Sequence, residues 1–291
     1  MEIRRYETVN RSVRLLFTGT RHVLRGLRGI ISETGALFAL AVLEKGFQVP
    51  GPLFLVGCGH SGTSATLRVL AKAPKLHAIE NESRLFLFRR PGVLREFLFL
   101  VSKRGFSKLR DASFQARKQG GVWVEKTPRH IHFIDRIKFW IPNSRFIAVW
   151  RDPLDVIPSL MARGIGLEEA LGRWVEDNSE LIQMTRQGRR ILVIRFEDLI
   201  EFPERTVEVV NAYIGLSADS GVPVPGIQAA PEHLPSREKH AARRTAQMAV
   251  GLFDSRGSSA RTLSSATAIY IRKRTDSLVA ELGTLQTLDW S

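Results

Sequence analysis

The chain has 291 residues, of which 44% are hydrophobic and 25% charged, and its formal net charge at pH 7 is +14. This length accommodates one large domain or at most two, and the composition is that of an ordinary globular protein. The single cysteine, Cys58, excludes an intramolecular disulfide and a cysteine metal cluster. The basic excess attracts anions, but it is not interleaved with aromatic residues, so we predict no nucleic-acid partner.

Residues 1–48 are predicted to form a basic helical extension, separate from a domain that spans residues 49–291. The apolar part of this extension is interrupted by Glu33 and Glu44, and it is shorter than the roughly 20 residues that a membrane-spanning helix needs. No signal-peptide cleavage pattern follows it. We therefore predict a cytoplasmic protein, whose N-terminal helix packs on the core or makes peripheral contact with a membrane surface.

Short apolar runs along the chain predict a buried sheet. They are rich in Val, Ile, Phe and Trp, and they are separated by segments long enough for crossover helices. Near-continuous hydrophobicity implies burial on both faces, so the predicted fold class is α/β, with a parallel β-sheet flanked by helices. The predicted strands are residues 53–57, 121–126, 145–151 and 191–197, with a weaker one at 75–79.

Three further segments complete the prediction in chain order. A helix is expected directly after the first strand, because Leu67, Leu70 and Ala71 fall at helical spacing. Residues 218–236 are rich in Pro, Gly and Ser and are typical of a loop or lid. The stretch from Ser264 to Leu282 is predicted to be a terminal helix.

The stretch GCGHSGTS, residues 57–64, connects the first strand to this helix. Its glycines allow a tight turn that brings backbone N–H groups close to an anion, and the helix directs its positive N-terminal end at the same place. The hydroxyls of Ser61, Thr63 and Ser64 are further potential donors. A Gly-rich turn with an N-capping hydroxyl is the structural alternative. The loop lacks the Gly-Lys-Ser/Thr ending of a nucleoside-triphosphate loop.

Three other motifs follow predicted strands: EKTP at 125–128, RDPLDVIPSL at 151–160 and RFEDL at 195–199. Together with the loop, they resemble the sulfotransferases that use 3′-phosphoadenosine 5′-phosphosulfate (PAPS), especially the branch that acts on carbohydrates and small molecules. The resemblance covers about residues 52–216. It implies a P-loop-like sulfotransferase fold and transfer of a sulfuryl group to a hydroxyl or amine of a small-molecule or glycan acceptor.

The resemblance also implies which residues bind the donor. The loop would hold the 5′-phosphosulfate without a metal ion, through Gly59, His60, Ser61, Gly62, Thr63 and Ser64. His60 stands where the family usually has a lysine or arginine, and we expect it to act on the leaving oxygen. Arg151 and Ser159 correspond to the pair that binds the 3′-phosphate. The alternative for Arg151 is a salt bridge to Asp152 or Asp155.

The catalytic residues that the resemblance implies are Glu82, Lys126 and His60. Lys126 would lie near the transferring sulfuryl group, where a cation stabilises charge on the leaving oxygen; the alternative is a surface lysine. Glu82 would take the proton from the acceptor, a role that suits a carboxylate whose pKa burial raises toward neutrality. Glu80 competes with Glu82 for this role, and His77 is a third candidate.

Several other polar residues receive no chemical role. Glu197 and Asp198 are interpreted as structural, and no metal site is predicted at His130 and His132, whose surroundings and spacing are not those of a zinc site. Two other functions remain open from the sequence: a P-loop kinase, or a non-catalytic protein that binds anionic glycan or lipid.

Overall fold

The computed structural model describes residues 51–79, 82–84, 86–87, 116, 118–119, 121–217, 223–224, 226–229, 252–254, 256–257 and 262–285. The predicted extension at 1–48 and the competing base Glu80 lie outside these described residues.

The centre of the fold is a five-stranded sheet in which all strands are parallel and the order is β2-β3-β1-β4-β5. Its inner strands are apolar and buried on both faces, as a sheet covered by helices requires. The strands are β1 Leu53–Gly57, β2 Leu76–Ala78, β3 Val122–Lys126, β4 Arg145–Trp150 and β5 Ile191–Arg195.

Helices cover both faces of the sheet. They are α1 Thr63–Leu70, α2 Ile134–Trp140, α3 Pro153–Met161, α4 Leu167–Arg186, α5 Phe196–Glu201, α6 Pro203–Ile214 and α7 Ser265–Thr284, together with a 3-10 helix at Pro128–Phe133. One face of β1 presents Phe54 and Val56 to the 3-10 helix and helices α2, α3, α4 and α7. The other presents Leu53 and Leu55 to α1, α5 and α6. Each strand thus contributes alternate residues to two hydrophobic cores.

The predicted fold class is confirmed, and the element boundaries differ from the prediction mainly at one strand. β5 ends at Arg195, two residues before the predicted end, because Phe196 and Glu197 begin helix α5. The predicted terminal helix is α7, and Ser264 caps it by accepting a hydrogen bond from the Thr267 N–H at 3.1 Å.

The predicted loop at 218–236 is wrong in one part. Ile227–Ala229 forms strand β6, which pairs in parallel with β7, Leu252–Asp254, in a separate two-stranded sheet. The Pro- and Gly-rich composition of the segment concealed this strand, because three residues are too few to show an alternating pattern. Within the part of the chain that the structure describes, no helix combines the length and the apolar character that crossing a membrane requires.

Candidate active site

The candidate site lies where the chain changes direction across the sheet. After β1 the chain builds β2 and β3 on one side, and β4 and β5 lie on the other. The crevice at the carboxyl end of such a switch point is the usual ligand site of open α/β sheets. Three of the predicted motifs meet there, because the loop follows β1, Lys126 ends β3 and Arg151 follows β4.

The loop conformation depends on two of its glycines. Gly57 has φ 131° and Gly62 has φ 94°, both in the left-handed region that a side chain rarely adopts. A Cβ at Gly57 would collide with the Val149 carbonyl, and one at Gly62 would collide with the Phe196 ring. The loop therefore packs tightly on β4 and α5, and no other residue type fits at these two positions.

The donors that the loop offers are mainly backbone groups. The amides of Thr63, Ser64 and Ala65 lie in the first turn of α1, where an N–H has no carbonyl partner within the helix. Ser61 differs from the prediction. Its buried hydroxyl lies 2.7 Å from both the Cys58 and the Val149 carbonyl oxygens, and its N–H donates to Cys58 at 3.3 Å. Ser61 therefore stabilises the turn and does not direct its hydroxyl to a ligand.

His60 connects the loop to helix α3. Its backbone has φ 72°, an uncommon conformation for a residue with a side chain, and its Nδ1 lies 2.7 Å from the Ser159 hydroxyl. The structure thus brings together two predicted site residues that are 99 positions apart. The contact joins the expected 5′ end of the donor site to the expected 3′ end.

Arg151 is buried at the end of β4, and its guanidinium donates to the Asp155 carboxylate at 2.9 Å. It also lies over the Phe196 ring, 4.5 Å from the centroid. The salt bridge to Asp155 was one of the two interpretations that the sequence left open. An anion that binds Arg151 must therefore share this guanidinium with Asp155.

Gly257, which the sequence analysis missed, lies at the same place. Its N–H donates to Asp155 Oδ2 at 3.1 Å, the oxygen that also accepts from Arg151. Two donors from distant parts of the chain thus converge on one negative oxygen. The Arg256-Gly257 dipeptide follows strand β7, but nothing in its local pattern marks it as part of this site.

Lys126 and Glu82 form an ion pair at the end of β3, with Nζ to Oε1 at 2.9 Å. Both side chains are mostly buried, at 12% and 20% exposure, and Arg84 contacts the second Glu82 oxygen at 3.2 Å. Burial raises the pKa of Glu82, but the contacts with Lys126 and Arg84 outweigh it and lower that pKa below the usual 4.5. The expectation that burial would shift the Glu82 pKa toward neutrality is therefore wrong, because the sequence did not show these two cations.

The third candidate base, His77, lies at the other end of the strands. It belongs to β2 and pairs in register with Trp123, and its Nε2 is packed against Gly121 at the start of β3. Lys126 ends that strand, so His77 and Lys126 are separated by most of its length. The structure does not bring His77 to the carboxyl edge of the sheet.

Arg173 on helix α4 is a second residue that the sequence analysis missed. Its Nη2 atom would lie 3.4 Å from a Cβ at Gly59 in the loop, and its Nε is buried without a hydrogen-bond partner among the described residues. Within the same part of the chain no carboxylate forms an ion pair with this guanidinium, whereas Arg129 and Arg151 have such partners. A cation beside a loop of N–H donors adds to the positive potential there.

A polar cluster in which only Asp177 is buried lies near the loop residue Cys58. His132, Glu176 and Asp177 present ligand atoms within 4.8 Å of one another. His132 Nε2 lies 2.6 Å from Asp177 Oδ1; burial lowers the pKa of this histidine, but Asp177 and Glu180 outweigh it and raise the pKa to about 9. A proton thus occupies this imidazole at neutral pH.

Burial raises the pKa of the adjacent Cys58 thiol well above its usual range, so this thiol is a poor nucleophile.

Residues 95–220 match the model of a family described as the sulfotransferase family. Among solved structures, the fold is similar to a sulfotransferase from Alicyclobacillus acidocaldarius, with TM-score 0.52, 17% identity, and coverage of 83% of this chain and 98% of that one. A Mycobacterium avium sulfotransferase gives TM-score 0.47, 12% identity and coverage of 85% and 80%. No curated protein sequence matches the chain.

Proposed function

We propose that this chain, whose residues 95–220 match the model of the sulfotransferase family, transfers a sulfuryl group from PAPS to a hydroxyl or amine of a carbohydrate or small-molecule acceptor. The observation that carries the proposal is the Glu82–Lys126 ion pair at 2.9 Å, which stands at the carboxyl edge of the sheet beside the glycine loop. A carboxylate and an ammonium group side by side provide a proton acceptor and a charge stabiliser for one transfer step.

The residues of the loop fit the 5′ end of this donor. The first-turn amides of α1 follow directly on the loop, and a helix start of this kind binds anions through N–H groups that have no partner within the helix. Arg173 adds a cation that has no carboxylate partner within the described residues. An anion there would relieve the repulsion between this guanidinium and the N–H donors.

The 3′ end of the donor is assigned to Arg151 and Ser159. Arg151 is a buried guanidinium, a group that binds phosphate through two parallel hydrogen bonds. Gly257 supplies a backbone N–H to the same place. Asp155 accepts from both donors, and it would orient the Arg151 guanidinium toward a phosphate oxygen.

The bound donor supplies an activated sulfuryl group, whose bond to the 5′-phosphate oxygen breaks as the acceptor oxygen or nitrogen bonds to sulfur. Glu82 accepts the proton that the acceptor loses, since its lowered pKa keeps it ionised at neutral pH. Lys126 stabilises the negative charge that develops on the leaving side. We assign to His60, whose Nδ1 lies 2.7 Å from the Ser159 hydroxyl, a hydrogen bond to the leaving oxygen.

Calorimetry with 3′,5′-adenosine bisphosphate, followed by an acceptor screen with ³⁵S-labelled PAPS, tests this proposal. We expect tight binding of the bisphosphate without Mg²⁺, and transfer of label to at least one hydroxyl or amine acceptor. Preference for ATP with Mg²⁺ would indicate a kinase. Binding of neither nucleotide would indicate a protein that only binds anionic glycan or lipid.

Two variants that remove one positive charge each sharpen the binding test. Arg173→Gln should weaken bisphosphate binding about tenfold, the loss expected for one charge-assisted hydrogen bond of about 1.5 kcal/mol. Lys273→Gln removes an exposed charge on α7 and should leave the affinity unchanged. Equal losses in the two variants would mean that overall charge, not the loop site, attracts the nucleotide.

A further inference from the structure

Residues 82–84, which include Glu82, belong to no helix or strand. Hydrogen bonds from backbone amides to side chains hold this segment in place. The Ser83 N–H donates to Glu125 Oε1 at 2.9 Å, and the Arg84 N–H donates to Thr127 Oγ1 at 3.2 Å. The Phe86 N–H donates to His130 Nε2 at 3.4 Å. Three amides of one short segment thus donate to three side chains, one in β3, one directly after it and one in the 3-10 helix.

These three accepting side chains, Glu125, Thr127 and His130, form an amide clamp. Thr127 Oγ1 donates to Glu125 Oε1 at 2.6 Å, which leaves its lone pairs for the Arg84 N–H. His130 Nδ1 lies 3.0 Å from Glu125 Oε2. Because Nε2 of His130 must accept from Phe86, its proton belongs on Nδ1 and is donated to Glu125. One arrangement of hydrogens therefore satisfies the whole clamp.

The clamp is buried, and burying its charge costs free energy that packing alone would not require. Glu125 and His130 are 0% exposed and Thr127 is 1% exposed. Burial raises the pKa of Glu125, but His130 and the hydrogen bonds from Thr127 and the Ser83 N–H outweigh it and lower that pKa, so the carboxylate is charged. Apolar side chains of similar volume fill a core at less cost than a buried charge.

The clamp also fixes both members of the ion pair. Lys126 lies between two clamp residues in sequence, so the strand that places Glu125 and Thr127 places Lys126 as well. Glu82 directly precedes the first clamped amide, that of Ser83. On the other side Phe86 anchors the segment by packing on Phe54 and on the His130 ring, with ring centroids 6.2 and 5.6 Å apart.

We propose that Glu125, Thr127 and His130 are positioning residues, which hold the backbone amides of Ser83, Arg84 and Phe86 so that the Glu82 carboxylate meets Lys126. This inference rests on the proposed function, because it assigns Glu82 the proton-accepting role. It adds three residues that touch neither substrate and act only through the segment that they hold.

Thr127→Val and Thr127→Ser form a matched pair for the test. Valine has the shape of threonine but cannot accept from Arg84 or donate to Glu125, whereas serine restores the hydroxyl. We expect Thr127→Val to lower kcat about ten- to a hundredfold, since a displaced catalytic group costs about that much, with unchanged affinity for 3′,5′-adenosine bisphosphate. Thr127→Ser should recover most of the rate. Equal rates in the two variants would overturn the proposal.

A double-mutant cycle separates positioning from a general structural role. If the clamp acts through Glu82, Thr127→Val should cost little further activity in a Glu82→Gln background. Losses that add in full would show that the clamp acts on something other than Glu82, and would overturn the inference.

Amide hydrogen exchange tests the clamp without sulfuryl transfer. The Arg84 amide should exchange faster in Thr127→Val than in the wild type and in Thr127→Ser, because its acceptor is lost. An Arg84 amide that exchanges equally slowly in Thr127→Val contradicts the clamp, whatever the activity. Absence of transfer in the wild type would instead contradict the proposed function, so the two failures are distinguishable.

Discussion

Glu82 and Lys126 determine the proton chemistry that we expect of the site. The two cations that contact Glu82 keep its carboxylate charged at neutral pH, although the side chain is only 20% exposed. A base held in its charged form by neighbours is ready to accept a proton but has a low proton affinity. The catalytic contribution of Glu82 must therefore come from position as much as from basicity.

For the first prediction, Glu82→Gln should lower kcat about 10²–10⁴-fold and leave the affinity for 3′,5′-adenosine bisphosphate unchanged. Because the pKa of Glu82 is lowered, the wild-type rate should fall only as the pH drops below 4.5, and this acidic limb should be missing in the variant. Steady-state kinetics across pH measures both. Glu169→Gln, at an exposed position in α4, is the control that should keep full activity. An acidic limb near pH 7 would contradict the assignment.

The second prediction concerns Arg151. Arg151→Lys keeps the charge but loses the planar fork, so it should reduce the preference for 3′,5′-adenosine bisphosphate over adenosine 5′-phosphate at least tenfold. This corresponds to one charge-assisted hydrogen bond, about 1.5–3 kcal/mol. Calorimetry with both nucleotides gives the ratio of the two affinities. A general distortion of the site would weaken both nucleotides alike and would leave this ratio unchanged. An unchanged ratio would show that Arg151 does not hold the 3′-phosphate.

At the scale of elements, the contact between the loop and α5 holds the donor site together. The ring of Phe196 packs on Gly62 on one side and lies under the Arg151 guanidinium on the other. Glu197 in the same helix accepts the Asp152 N–H at 3.0 Å, which supports the structural role that the sequence suggested for it. The early end of β5 is what brings α5 to this position.

For the third prediction, Gly62→Ala should lower the free energy of unfolding by about 2–4 kcal/mol, because a Cβ there combines a strained φ with a collision against Phe196. Gly188→Ala is the matched control. It has a positive φ of 74° but open space around it, so it should lose only about 1 kcal/mol. Urea denaturation of both variants isolates the collision. Equal losses of unfolding free energy in the two variants would show that the Phe196 ring moves aside without destabilising the fold.

The fourth prediction concerns the contact between the 3-10 helix and α4. The pKa of His132 is raised from 6.5 to about 9, so the protonated imidazole stabilises the fold most below pH 6.5. This contribution should decline as the pH rises through about 9. Thermal unfolding of the wild type across this range should show the decline, and His132→Gln should flatten it. The same slope in the variant would assign the pH dependence to another group.

At the scale of the whole molecule, the parallel sheet, its strand order and the flanking helices agree with the predicted sulfotransferase fold. The predicted resemblance to sulfotransferases is confirmed by the family match at residues 95–220. We predicted from the sequence that sulfuryl transfer needs no metal ion, and this stays a prediction.

For the fifth prediction, dialysis against EDTA should leave the transfer rate unchanged, because backbone amides and side-chain cations are expected to balance the charge of the donor. The cluster of His132, Glu176 and Asp177 has the geometry of a metal site, but its imidazole holds a proton at neutral pH, and a protonated imidazole does not bind a metal ion. Transfer assays before and after dialysis, with Mg²⁺ and Zn²⁺ restored separately, measure the effect. A rate that is lost on dialysis and recovers with one ion would contradict the prediction.

The parallel sheet, the position of the glycine loop and the resemblance to sulfotransferases could be predicted from the sequence, because each depends on short stretches of the chain. Apolar runs predict buried strands, and glycines beside a helix start predict a turn with exposed amides. Glu82, Lys126, Arg151 and Ser159 were named from the resemblance to sulfotransferases that the loop and the other motifs carry.

Which charged groups meet became known from the folded structure alone. Lys126 pairs with Glu82 across 44 positions, and His60 meets Ser159 across 99. Such contacts form when strands align their carboxyl ends, which no local pattern reports. The pKa of Glu82, the sharing of Arg151 with Asp155 and the amide clamp all depend on these neighbours. A side chain's type can be read from sequence, but its charge state and its partners are set by what the fold packs against it.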